Sequence, residues 1–214
     1  MSIKSNKVVV LSVVFVFVLV GMASAYAADA TYIGNKQCKM CHNKADVGAQ
    51  WSKWSKQSHA KAFKVLAGTV EGLSEADAKA MDDRVKAAAA KMGVTGPPSE
   101  APECLACHVT AYDVETKAVP AKLKMADGVQ CESCHGPASL HKKDAMAVKM
   151  KKKTVEEANL AANLATADEK SCLQCHNDKS PTWDPSRYTK ADGTKSGFDF
   201  KQAWAKVDHS RPAK

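Results

Sequence analysis

The hydrophobic pattern begins with one apolar run, Val8 to Ala23, preceded by Lys4 and Lys7 and followed by small residues. Positive, then apolar, then small is the order of an export signal. It predicts a signal peptide over residues 1–27, cleavage after Ala25-Tyr26-Ala27, and a mature domain over 28–214. An uncleaved anchor is the rival reading, but 16 residues with Ser12 among them fall short of the roughly 20 that a membrane span needs. Beyond the run the pattern turns helical. Val47, Trp51, Trp54, Ser58, His59, Ala62 and Leu66 fall on one face over about 46–66. Met81, Val85, Ala88 and Met92 line one side of a second helix, opened by Ser74 with Asp77 and stopped by Gly93. "GPPSEAP", 96–102, reads as a loop. Thr154 with Glu157 predicts a helix through about Leu164, and Thr166 with Glu169 predicts another. Residues 180–197 are turn-rich, and Phe200, Trp204 and Val207 mark the inner side of a last short helix. Little of the chain alternates with a period of two. The expected fold is mainly α, loop-rich, and a single domain.

Composition changes that picture in one respect. Aromatic residues make up 6% of the chain, few for a domain that buries its core with side chains alone. Removing the signal takes Lys4 and Lys7 with it, so the formal charge falls from +8 to +6 over 187 residues. Something other than aromatic side chains is expected to fill the interior.

The cysteines say what. Eight cysteines in an exported chain read by default as four disulfides. Here they form four CxxC pairs, each followed at once by histidine: "CKMCH" at 38–42, "CLACH" at 104–108, "CESCH" at 131–135 and "CLQCH" at 172–176. One such unit has rival readings as a redox or zinc motif, but four chance histidines have a probability on the order of one in a million. Zinc sites also separate the cysteine pair from the histidines instead of abutting them. Each unit is a c-type haem attachment signature, with two thiols bonded to the haem edge and the adjacent histidine on iron. The expectation is four covalently bound haem c groups, held by Cys38, Cys41, Cys104, Cys107, Cys131, Cys134, Cys172 and Cys175. His42, His108, His135 and His176 are the proximal ligands. The porphyrins then form the core. With each ferric haem adding about −1 and each ferrous one about −2, the net charge becomes roughly +2 oxidised and −2 reduced. A nucleic-acid partner is therefore not expected. The cluster Lys142, Lys143, Lys149, Lys151, Lys152 and Lys153 reads either as a docking face for an acidic partner or as a solvated helical face.

Seven histidines in total leave His59, His141 and His209 for the opposite faces of four haems. One iron thus lacks a distal imidazole. That position is open or is capped by methionine, lysine or water, with Met81, Met92 and Met125 flanking the second motif. His141 lies six residues after His135, and a path round the edge of its own haem takes roughly 18 Å of a fully extended reach of about 20–22 Å. Gly136-Pro137 favours a turn there, so the spacing favours a neighbouring haem. His59, 17 residues after His42, is likewise placed for a haem other than the first.

"ADATYIGNKQCKMCH", "WSKQSHAKA", "ECLACH" and "GVQCESCHGP" followed by His141, with a final CxxCH, resemble the tetrahaem cytochrome c-554 family across most of the mature chain. The resemblance implies a compact helical wrap with haems packed in pairs, three of them bis-histidine and the second five-coordinate. It implies that His141 serves the haem of His42, His59 that of His176 and His209 that of His135, leaving His108 without a distal histidine. The function expected is single-electron transfer between donor and acceptor redox proteins in the periplasm or at the cell surface, not enzymatic catalysis. Two alternatives are a haem enzyme acting on a small nitrogen oxide at the His108 iron, and a protomer of a haem-wire assembly.

Overall fold

The computed structural model describes residues 30–112, 114 and 122–210, and the predicted export signal lies outside them. Residues from Thr31 onward cluster as one unit. Short helices dominate it: α1 (Asn35–His42), α2 (Gln50–Trp54), α3 (Ala62–Leu66), α4 (Glu75–Lys91), α5 (Pro102–His108), α6 (Cys131–His135), α7 (Ser139–Lys149), α8 (Val155–Ala158), α9 (Glu169–Leu173) and α10 (Phe200–Val207). A two-stranded antiparallel hairpin, β1 (Tyr188–Thr189) and β2 (Lys195–Ser196), pairs Tyr188 with Ser196 inside the turn-rich segment. The fold is mainly α and loop-rich. No helix among the described residues is long and apolar enough to cross a membrane.

Local signals account for several boundaries. The Ser74 side chain accepts from the Asp77 amide and starts α4, while Pro102 occupies the first turn of α5, where its missing N–H costs nothing. Asp199 caps α10, whose Phe200, Trp204 and Val207 are half-buried. Other expectations are corrected. The segment 46–66 is four pieces, namely a 3-10 turn at Ala45–Val47, α2, a 3-10 turn at Ser58–Lys61, and α3. Left-handed Gly48 (φ 107°) and Ala49 (φ 52°) break the first join, and extended Gln57 breaks the second. Trp51, Trp54 and His59 therefore do not share one helix face. Likewise, Thr154 and Glu157 do form a reciprocal capping box, but left-handed Asn159 (φ 42°) ends α8 after one turn rather than near Leu164. The α9 cap is Asp168 with Ser171, not Thr166.

The polypeptide supplies little core of its own. Among the described residues the larger buried apolar side chains are Trp54, Leu105 and Val109, joined by alanines and Cys104, and the largest fully buried side chains are polar, Gln130 and Glu132. That shortage fits a fold completed by another hydrophobic body.

Gly128 shows how tightly the backbone is drawn together around the candidate ligands. It sits at φ +66°, and a Cβ there would lie 2.7 Å from the His59 carbonyl oxygen and 3.2 Å from the Ala62 nitrogen. The adjoining Val129 amide donates to that same carbonyl at 3.0 Å, and the Trp54 indole N–H donates to the Val129 carbonyl at 3.0 Å. Gly128→Ala is expected to destabilise the fold by about 1–3 kcal/mol, since it combines backbone strain with a main-chain clash. Denaturant unfolding checks this, and an unchanged midpoint would contradict it.

Candidate multihaem site

Each CxxCH unit sits in or at the end of a short helical turn. His42, His108 and His135 are the last residues of α1, α5 and α6, and His176 follows α9 with its amide bonded to the Cys172 carbonyl at 2.9 Å. A single turn is what lets two cysteines and a histidine face one planar group from one side. All eight cysteines are free of disulfides.

The remaining histidines arrive from elsewhere in the chain. His141, in the first turn of α7, lies opposite His42 with ring centroids 6.1 Å apart and planes 28° from parallel. His59, in its 3-10 turn, faces His176 at 6.0 Å and 70°. His209, just past α10, faces His135 at 6.1 Å and 83°. The seventh histidine, His108, makes no ring pair with another histidine among the described residues.

That spacing is a test of fit. Two metal–nitrogen bonds of about 2 Å each, with about 1 Å more from each nitrogen to its ring centre, place two axial imidazoles roughly 6 Å apart across one metal. Direct stacking would be closer. The three pairs are spaced for a metal and its flat macrocycle between them.

In five of the seven histidines the Nδ1 nitrogen is already engaged. Nδ1 of His108 lies 2.9 Å from the Ala62 carbonyl, that of His135 3.1 Å from Ala165, that of His141 3.0 Å from Leu160, and that of His209 2.8 Å from Val207. His42 Nδ1 lies 3.4 Å from Gln50 Oε1. Such a partner fixes the tautomer with its proton on Nδ1 and leaves Nε2 as the ligating atom. Burial pushes His42, His59, His135 and His176 below the ordinary imidazole pKa, which keeps them in the neutral, metal-binding form.

The attachment points are close to one another. The Cys38 thiol of the first motif interacts with the Cys131 thiol of the third, and the Cys107 thiol of the second with the Cys175 thiol of the fourth. Cys134 of the third lies within electrostatic reach of Cys172 of the fourth. Around His176, Phe198 stacks at 5.8 Å and 20°, with Tyr188 edge-on behind it. Of the methionines flanking the second motif, Met125 is 50% exposed, whereas Met81 and Met92 are half-buried on α4. In the lysine cluster, Lys142 donates to Gln37 Oε1 at 2.6 Å and Lys153 pairs with Asp144 at 2.6 Å.

Residues 37–136 match the family described as cytochrome c554 and c-prime, a stretch that contains the first three motifs and His59. The chain is also 31% identical over 156 residues to cytochrome c-554 of Nitrosomonas europaea, covering 70% of this chain and 59% of that protein. The chain belongs to the cytochrome c-554 family. It is 30% identical over 131 residues to the multihaem cytochrome MtrA of Shewanella baltica, covering 56% of this chain and 37% of that one. The chain spans less than two thirds of the length of either relative. No solved structure matches it. Membership of a c-type cytochrome family brings covalently bound haem c, and the cysteines and paired histidines are a donor set that fits it.

Sequence reasoning had no access to several residues that shape this site. Gln50, and the carbonyls of Ala62, Leu160, Ala165 and Val207, orient histidines that are remote from most of them in sequence. A backbone carbonyl carries no sequence signal, because every residue has one.

Proposed function

We propose that the protein holds four covalently bound haem c groups and passes single electrons between redox protein partners in the periplasm or at the cell surface. The observation that carries this reading is the set of three histidine pairs about 6 Å apart, each with one member from a CxxCH unit. Cys38, Cys41, His42 and His141 would hold the first haem. Cys131, Cys134, His135 and His209 would hold the third, and Cys172, Cys175, His176 and His59 the fourth. Cys104, Cys107 and His108 would hold the second. Haem iron supplies the reversible one-electron change.

What the chain contributes is placement and tuning. The interactions of Cys38 with Cys131, Cys134 with Cys172 and Cys107 with Cys175 support an order of attachment points one, three, four, two, in which a charge entering at either end would have a neighbour within reach. Two imidazoles on an iron favour lower potentials than histidine with methionine. The backbone acceptors on Nδ1 fix ring orientation, so that little rearrangement accompanies a change of charge. The relatives, a cytochrome c-554 and a multihaem cytochrome, agree in kind with a carrier.

His108 favours a second reading for one centre, since no imidazole faces it: binding of a small nitrogen oxide there. Electron paramagnetic resonance of the oxidised protein tests both. Three low-spin centres and one high-spin centre per chain are expected. Four low-spin centres would remove the open site, and fewer than three would remove the bis-histidine assignment.

A further inference from the structure

Glu132 is the first variable residue of "CESCH", inside the motif assigned to the third haem, yet its carboxylate points elsewhere. It is 2% exposed. One oxygen accepts from the Ile33 amide at 3.0 Å and from the Ala138 amide at 2.9 Å, and the other accepts from the Gly34 amide at 2.7 Å and from Ile33 at 3.1 Å. Gly34 is the N-cap of α1, and Ala138 is the N-cap of α7. Neither helix has a side-chain cap of its own. Glu132 stands in for both, satisfying amides at two helix starts with one buried charge.

Those two helices carry the two histidines of a single pair. His42 is the last residue of α1, and His141 sits in the first turn of α7. Further contacts draw the same segments together: the Thr31 amide donates to Ser139 Oγ at 2.8 Å, the Ser139 amide to the Thr31 carbonyl at 3.2 Å, and Lys142 Nζ to Gln37 Oε1. Gln130, also 2% exposed, extends the clasp by accepting the Asn35 amide at 2.8 Å. None of the groups hydrogen-bonded to the Glu132 carboxylate belongs to the segment carrying His209, the partner of His135.

We infer that Glu132 is a positioning residue for the first haem, setting the spacing and mutual angle of His42 and His141 from within the attachment motif of the third. The inference rests on the ligand assignment proposed above. Its consequence is that the two haem sites are built as one unit. The near-parallel His42/His141 pair is held by a shared carboxylate, and a change in that carboxylate is read at the first haem before it is read at the third.

The test compares low-spin signals in the oxidised, haem-loaded protein. His141→Ala identifies the signal of the first haem by its loss, and His209→Ala does the same for the third. Glu132→Gln keeps the shape but turns one acceptor arm into an N–H facing an amide N–H, releasing one helix start. The expected result is a shift of the signal that His141→Ala removes, with the signal that His209→Ala removes left in place. Glu132→Asp, which keeps the charge one methylene shorter, is expected to shift the same signal less. It serves as the variant read if Glu132→Gln does not mature. A shift confined to the third haem, an equal shift of all signals, or no shift overturns the inference while leaving the ligand assignment standing. If His141→Ala removes no low-spin signal, the assignment fails and the inference with it.

Discussion

Replacing His141 by methionine is expected to raise the midpoint potential of one haem by on the order of 0.1 V, within the ~0.8 V range that axial ligands span. The cause is the softer thioether, which stabilises the ferrous state relative to a second imidazole. His141 is the suitable position because its ring lies opposite His42 at 6.1 Å and its Nδ1 is held by the Leu160 carbonyl. Methionine is unbranched and flexible enough to bring its sulfur to the space the imidazole vacates. The Leu160 carbonyl loses its donor in the exchange, a cost to stability on the order of 1 kcal/mol that leaves the fold standing. A spectroelectrochemical titration resolves the outcome: one component moves upward and the others stay near their original potentials. An unchanged set of potentials would show that His141 is not on iron.

Such a substitution is interpretable through the proposed pairing, to which the sequence and the structure contribute unequally. The four CxxCH units are legible without any fold, since thiols and histidine act within one helical turn. Short-range caps are legible for the same reason, as with Ser74 and Asp77 at α4 or the Thr154/Glu157 box at α8. Long-range relations are not. The reach from His135 disfavours His141 as a ligand to its own haem, yet spacing alone leaves open which other haem it faces, and the specific pairing came from the family resemblance. The break at Gly48–Ala49 is visible only as left-handed dihedrals, which alanine rarely adopts, so periodicity ran through it and joined four pieces into one. Glu132 is the clearest omission. In the sequence it is a charged residue at a variable motif position, where a solvated side chain is the ordinary expectation. Its burial is decided by three amides, at Ile33, Gly34 and Ala138, two of them nearly a hundred residues away.

The same long-range character sets what the molecule does with its seventh histidine. Carbon monoxide is expected to bind the reduced protein at one haem per chain, and at two haems per chain in His59→Ala. A small neutral ligand takes an iron position that no imidazole fills, and His108 is the member of the set that faces no other histidine among the described residues. His59→Ala creates a second such position opposite His176, because the methyl group left behind cannot span the 6.0 Å between the rings. The backbone there has reason to stay in place. The His59 carbonyl is held by the Val129 amide at 3.0 Å, and the Ala62 carbonyl accepts from His108 Nδ1, neither of which uses the His59 side chain. Titration followed in the Soret difference spectrum and normalised to haem content gives the stoichiometry. A wild-type value of zero would mean that the His108 iron already carries a protein ligand. A value that stays at one in His59→Ala would mean that His59 is not the residue closing the fourth site. The second outcome tests the pairing from the side opposite to His141, since it asks whether removing the distal imidazole opens the iron. The two substitutions thus examine different irons by different physical quantities, a potential and an occupancy, and neither result can be produced by a general loosening of the fold, which would open several sites at once.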